Sequence, residues 1–404
     1  MDTAGFEALQ TPDGQRLLAG LPPYDEAEAL TLAARLRRDH PAELVAAVLT
    51  QARLRARAQA RFGELADQLF FTPAGLEQAT RPAVSRHRAQ RYAAAGVTSV
   101  ADLCCGVGAD LLVLATATGA ALTGVDRDPL TVAVARANVA ALGLSGRVAV
   151  ACADATAFDV GPHDAVFIDP SRRTARGRVF DPDAYSPPLA FVAELAAKAP
   201  ATGAKVAPGI PHDRVPADAE AEWVSDHGEV MEAALWFGPL ASGVPRRATV
   251  LPAGATLTAE PGLGRPATGP LRRWLYEPDG AVIRAGLVGE LAARLGGTLI
   301  DPTIAYLTAD TAIATPFATA YEVVEAMPFQ LKRLRAALRA RGVGGVVVKK
   351  RGSAIQPEEL RRQLRLDSAD PERAVVVLTR LAGAHIAVIA KNLPPQSQQN
   401  RRDR

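Results

Sequence analysis

The chain has 404 residues, 48% of them hydrophobic and 22% charged, with a formal net charge of +3. That length allows two or three domains with full cores. It contains no apolar run of eighteen or more residues, and Met1-Asp-Thr-Ala-Gly5 lacks the basic start and apolar core of a secretion signal, so no membrane role and a cytoplasmic location are expected. Three cysteines (adjacent Cys104 and Cys105, and a distant Cys152) form neither a disulfide framework nor a zinc spacing, and six scattered histidines form no ligand pair. No metal is expected.

Residues 1–80 read as a helical domain. Glu26–Arg38 and Pro41–Ala60 repeat apolar residues three and four apart, broken at Leu21-Pro-Pro23 and His40-Pro41. Arg53, Arg55, Arg57 and Arg61 cluster on the second helix, where a solvated face is the commoner outcome than a nucleic-acid contact. A further helix starts at Thr80-Arg-Pro82, with Thr80 as cap and Pro82 in the first position, and ends near Gly96.

Short apolar runs then alternate with helical stretches: Val97–Leu103, Ala121–Val125, Arg147–Ala151, Asp164–Ile168 and Ala204–Ala207. Two more strands are expected near Glu222–Val224 and at Glu229–Phe237 or Ala248–Leu251. This order predicts a doubly wound α/β sheet over residues 81–258. Four of these runs carry an acid at or near their end: Asp102, Asp126, Asp154 and Asp169. After the first come Cys104, Cys105, Gly106 and Gly108. Glycines at 106 and 108 let the chain turn tightly into a helix and let a ligand approach the backbone. Asp126, 18 residues past Gly108, is placed to accept both hydroxyls of a ribose. A nicotinamide fingerprint needs a third glycine where Leu111 stands. Asp128, before Pro129, reads as a helix cap.

The acid series and the glycine pair resemble the class I S-adenosylmethionine-dependent methyltransferases. The resemblance implies Asp102 near the methionine amino group, Cys104 in the first glycine place of the loop, and Gly106 and Gly108 beneath the cofactor. It further implies Asp126 on the ribose, Asp154 with Ala155 at the adenine, and Thr80 and Arg81 toward the methionine carboxylate. Amine-methylating members carry Asp/Asn-Pro-Pro-aromatic after the fourth strand. Here the run is Asp169-Pro170-Ser171-Arg172-Arg173, which keeps the acceptor Asp169 and Pro170 as catalytic candidates and lacks the aromatic. Ser171, Arg172 and Arg173, with Arg176 and Arg178, are expected at the substrate phosphates. A uracil-C5 route needs a later cysteine nucleophile, and none follows Cys152.

Ala259–Pro270, rich in Gly and Pro, marks a linker (259–271). Residues 272–404 form a second α/β unit. Its expected elements are a strand at Tyr321–Ala326, a helix at Gln330–Arg341, a strand at Gly345–Lys350, a helix at Gln356–Arg365, and a hairpin of Arg373–Leu381 with His385–Lys391 through Gly383. Residues 329–404 carry 17 basic and 6 acidic side chains, a local net charge of +11, while the rest of the chain is net negative. Such asymmetry points to a polyanionic partner, with Lys349, Lys350 and Arg351 as contacts. The element order resembles the THUMP-like domains of RNA-modifying enzymes, and residues 401–404 read as a disordered tail. The whole resembles the THUMP-like methyltransferase family, and with Asp169-Pro170 in the amine-methylating place and no later cysteine, the expected target is an exocyclic amine of a tRNA or rRNA base. Two other readings stay open: a small-molecule N-methyltransferase, whose activity would be insensitive to salt, and a non-catalytic RNA-binding protein that keeps the cofactor fold.

Overall fold

The computed structural model describes the chain except residues 175, 176, 180, 368, 370 and 393–404. Arg176 and the tail at 401–404 therefore lie outside the described residues, as do the side chains of Arg173 and Arg178. The chain divides into two compact units, Met1–Glu222 with Met231–Gly243, and Trp223–Val230 with Val244–Arg404. No helix among the described residues is long and apolar enough to cross a membrane.

The first unit opens with α1 (Thr3–Gln10), α2 (Pro12–Ala19), α3 (Ala29–Leu36) and α4 (Ala42–Phe62). Asp2 and Thr11 cap the first two helices by accepting the Gly5 and Gly14 amides. Leu44, Val48, Leu54, Ala58 and Phe62 are buried along one face of α4, the spacing that marks a helix half in the core. Part of its basic cluster is structural. Arg55 donates to the Leu69 carbonyl (2.9 Å) and Arg61 to the Leu76 and Ala79 carbonyls (2.6 and 2.9 Å), whereas Arg53 and Arg57 are exposed. Helices α5 (Pro73–Gln78) and α6 (Pro82–Ala94) lead into the sheet.

Next come β1 (Ser99–Leu103), α7 (Ala109–Thr118), β2 (Ala121–Asp126), α8 (Pro129–Ala141), β3 (Val148–Cys152) and β4 (Ala165–Ile168). A short ribbon of β5 (Arg173–Thr174) and β6 (Gly177–Arg178) follows, then α9 (Leu189–Lys198), β7 (Ala201–Val206), β8 (Glu220–Asp226) and β9 (Glu229–Trp236), of which the stretch Trp223–Val230 is counted with the second unit. Asp128 caps α8 through the Thr131 amide. The order β3-β2-β1-β4-β7 is parallel throughout, and β9 runs antiparallel to β7 with β8 beyond it. Strand β4 is buried along its whole length and β1 from Val100 onward, as expected of parallel strands covered by helices on both faces. Succession leaves β1 toward β2 on one side and returns at β4 on the other. The crevice at the carboxyl ends of β1 and β4 is therefore the place where such a sheet binds its ligand.

In the second unit β10 (Arg246–Leu251) and β11 (Ala255–Thr258) form a hairpin. They are followed by β12 (Trp274–Pro278), α10 (Gly280–Arg284), α11 (Val288–Leu295), β13 (Thr298–Asp301), β14 (Ile304–Ala309) and β15 (Ala318–Pro328). The remaining elements are α12 (Leu331–Arg339), β16 (Val343–Lys350), α13 (Pro357–Leu364), β17 (Glu372–Leu381) and β18 (Ala384–Asn392). The sheet order is β13-β14-β12-β15-β18-β17-β16, with only the crossover pair β16–β17 parallel among the pairings described. Ala382 and Gly383 both take positive φ (46° and 85°), as the tight turn between β17 and β18 demands. Leu334 and Leu338 of α12 and Leu360 and Leu364 of α13 seat on Val376 and Leu378 of the sheet. That leaves Lys332, Arg333, Arg361, Arg362 and Arg365 exposed on the outer faces.

Candidate active site

The loop after β1 is shaped by three left-handed residues, Cys104 (φ 62°), Gly106 (φ 57°) and Gly108 (φ 87°). Cys104 stands where glycine would be unstrained, and a non-glycine residue there costs about 1–2 kcal/mol. Its neighbour Cys105 donates its amide to the Val125 carbonyl (3.0 Å), tying the loop to the end of β2. Asp126 then closes the frame, since Oδ2 accepts the Gly106 amide (3.1 Å) and Oδ1 the Asp128 amide (3.0 Å). Around Gly106 the Cβ direction is open to 4 Å, so the backbone there is free to meet a ligand.

Asp102 lies under this loop with no solvent exposure, and neither carboxylate oxygen has a hydrogen-bond partner among the described residues. Burial first, and then Asp110, pushes its carboxyl well above the usual range, against the pull of Arg88; Asp169 and Asp126 add to the rise. Burial first, and then Asp126, Asp169 and Asp102, raise the Cys104 thiol. A desolvated carboxylate without a partner is expensive, and a cationic ligand removes that expense.

On the other side of the crevice the Asp169 amide donates to the Leu103 carbonyl (3.2 Å), which joins the ends of β4 and β1. The Asp169 carboxylate does not stand alone. Lys205 of β7, 6% exposed, places its Nζ 2.6 Å from Asp169 Oδ2 and 3.0 Å from Thr80 Oγ1. Thr80 Oγ1 in turn donates to Asp110 Oδ2 (2.9 Å), and Asp110 Oδ1 meets Arg88 (2.8 Å) and the Ser85 hydroxyl. Arg88 also grips Glu232 with two nitrogens (2.6 and 3.2 Å) and lies 4.4 Å over the Phe167 ring. Burial works to raise the Asp110 carboxyl, but Arg88, Lys205, Ser85 and Thr80 outweigh it and hold it below the usual range. Lys205, Asp110, Ser85, Arg88 and Glu232 escaped the reading of the sequence. The one signal available was a lysine inside the otherwise uncharged stretch Ala201–Val206.

The other expected residues fall as follows. Thr80 is occupied by Lys205 and Asp110, and Arg81, not Thr80, is the N-cap residue of α6, contributing no side-chain cap bond. Asp154 is exposed and fixes the turn after β3, its Oδ1 accepting the Thr156 amide (2.8 Å) and hydroxyl (2.7 Å), which lowers its carboxyl; Ala155 beside it is buried. Pro170 is buried, and Ser171 pairs through its backbone with Ser186 (2.9 and 3.0 Å). Arg172 is half-buried, with Nη1 out of solvent and without a partner among the described residues. Arg173 contributes its backbone to β5. In the second unit Lys349 and Arg351 both turn to Glu277 (3.1 and 3.9 Å), Arg351 lies over the Tyr306 ring, and Lys350 donates to Gln356 (2.9 Å). His163 precedes β4 at its amino end and bonds Thr123 (3.2 Å); exposed His212 follows β7.

Residues 100–172 match the model of a methyltransferase domain, residues 318–392 that of a THUMP domain-like family, and residues 2–58 a domain of unknown function. An uncharacterized S-adenosylmethionine-dependent methyltransferase of Mycobacterium tuberculosis, found in strains CDC 1551 and H37Rv, is 37% identical over 346 residues. That alignment covers 83% of this chain and 92% of the relative. The chain belongs to this family of S-adenosylmethionine-dependent methyltransferases. The crystal structure of a candidate methyltransferase from Porphyromonas gingivalis W83 shares the fold, with a TM-score of 0.72 at 23% identity over 92% of this chain and all of its own. The methyltransferase thus pairs a class I catalytic sheet with a C-terminal THUMP-like domain, and S-adenosylmethionine is its cofactor. The crevice fits that molecule. Its ammonium and sulfonium groups are cationic, and the crevice holds the buried Asp102, whose carboxyl oxygens have no hydrogen-bond partner among the described residues.

Proposed function

We propose that this methyltransferase transfers the methyl group to an exocyclic amine of a base in RNA, a tRNA or rRNA, in the cytoplasm. S-adenosylmethionine supplies an electrophilic methyl group, so the protein's task is positioning. Asp102 would hold the methionine ammonium, with Arg81 toward its carboxylate. Gly106 and Gly108 would lie beneath the cofactor, Asp126 would take the ribose hydroxyls, and Asp154 and Ala155 the adenine edge.

The observation that carries the amine reading is Asp169. Its Oδ2 is engaged by Lys205, which leaves Oδ1 to accept an N–H of the target and turn the nitrogen lone pair toward the methyl group. The C–N bond forms as the S–C bond breaks, and the displaced N–H proton leaves through Asp169 or solvent. Pro170 stiffens the chain there, and Nη1 of Arg172, without a partner among the described residues, is a donor for a phosphate or base.

The RNA reading rests on the THUMP-like match at 318–392 and the net +11 of residues 329–404, with Lys332, Arg333, Arg361, Arg362 and Arg365 facing solvent on α12 and α13. Labelled S-adenosylmethionine with total bacterial RNA tests both claims. Label should enter RNA, fall off steeply with salt, and appear after digestion in a base methylated on its amine. Transfer confined to metabolites and indifferent to salt would replace RNA by a small substrate. Cofactor binding without any transfer would leave a non-catalytic RNA-binding protein.

A further inference from the structure

The register of β7 against β4 pairs Ala204 with Ile168, so the next residue on each strand, Lys205 and Asp169, stand side by side at the carboxyl edge. All six residues of β7 are buried, and an ammonium there needs partners to offset its lost hydration. Its partners also fix its direction. The Thr80 hydroxyl has one hydrogen, which it gives to Asp110, so toward Lys205 it must accept. Lys205 therefore donates to Thr80 and to Asp169 at once and is held between them. Asp110 is itself pinned by Arg88 and Ser85, and Arg88 by both oxygens of Glu232 and by the Phe167 ring. The chain runs from α6 and β9 through α7 to the acid that receives the target.

We infer that Lys205 is a positioning residue for methyl transfer, which orients the Asp169 carboxylate toward the target amine and is itself clamped by Thr80, Asp110 and Arg88. The inference rests on the reading of Asp169 as the amine acceptor.

Single-turnover transfer from labelled S-adenosylmethionine to total bacterial RNA, together with calorimetric cofactor affinity, tests it in Lys205→Met, Asp169→Ala and the double variant. Lys205→Met should lower the transfer rate about 100-fold, the scale expected for a misplaced catalytic contact, with cofactor Kd within about threefold of wild type. In the Asp169→Ala background the same substitution should change nothing further, because its target is gone. Wild-type transfer in Lys205→Met, or an equal added loss in the Asp169→Ala background, would overturn the inference and leave a structural lysine. Normal transfer by Asp169→Ala alone would instead overturn the acceptor reading and this inference with it. Should Lys205→Met fail to fold, Lys205→Arg keeps the charge but displaces it and Thr80→Val removes the clamp. Reduced transfer with intact cofactor affinity is expected in both, and wild-type rates in both would refute the role.

Discussion

Replacing Asp102 by asparagine should move two quantities in opposite directions. The wild-type carboxylate is fully buried and has no hydrogen-bond partner among the described residues, and burial with Asp110 nearby raises its pKa well above the usual value. A raised folded pKa means that the folded state binds a proton the unfolded chain releases. The associated stability is fully present below the unfolded value, about 3.9, and is lost as pH rises through the folded value. An amide of the same shape has no such loss. Asp102→Asn without cofactor should therefore be more stable than wild type at alkaline pH, by about 1–3 kcal/mol on the scale of an unsatisfied buried group, and the gap should close on acidification. Cofactor binding should respond the other way. The ammonium loses a charge-assisted hydrogen bond of about 1.5–3 kcal/mol, which weakens Kd by roughly 10- to 150-fold. Thermal melts across pH, with and without S-adenosylmethionine, read both effects. Calorimetry in two buffers of different ionisation enthalpy should also show a proton released on binding to wild type and none in the variant. A variant that is less stable when free, or that binds within about threefold of wild type, would show that Asp102 is not the unpaired partner of a cation.

Asp126→Ala removes the acceptor of the Gly106 amide and the proposed ribose acceptor, and isothermal titration should show cofactor affinity down at least about tenfold, one charge-assisted bond's worth, with the fold retained. Cys104→Val places a β-branched residue at φ 62°, so denaturant unfolding should show a loss of more than about 1 kcal/mol, whereas Cys104→Gly should be neutral or stabilising. Glu277→Gln releases Lys349 and Arg351 from their carboxylate, and the log-log salt dependence of RNA retention should steepen by about one to two.

The acids and glycines of the crevice were legible because each lies within a few residues of the strand that positions it. A buried apolar run, a turn and an acid are local properties, and the register of β1 with β2 and β4 then assembles them. The apolar pattern predicts β7 at Ala204–Ala207, but the strand begins at Ala201, where Ala-Thr-Gly carries no β-branched apolar signal to mark its start. The Lys205 network was illegible for a different reason. Thr80 lies 125 residues and Asp169 36 residues from Lys205, and only the completed sheet brings them together. The same holds for Lys349-Lys350-Arg351, which looks in sequence like a free basic cluster. Folding of the second sheet sets Glu277 of β12 against two of its three cations. Strands β12, β13 and β14 were not anticipated, although Val288, Leu291, Ala292 and Leu295 carry the helical period of α11 between them.

The charges of the crevice also explain why a dinucleotide does not suit this loop. Asp126 is answered by two amides, Asp110 by Arg88, and Asp169 by Lys205, so every acid but Asp102 has its counterpart within the described residues. A pyrophosphate laid on the same loop would bring negative charge beside the buried Asp102 carboxyl group, and Leu111 stands where a third glycine would allow close helix–strand packing. A ligand with an ammonium meets the reverse situation, because it supplies the missing counter-charge. On the proposed reading, Asp102, which has no hydrogen-bond partner among the described residues, would distinguish this crevice for an amino-acid-bearing nucleoside better than glycines common to nucleotide-binding folds at large.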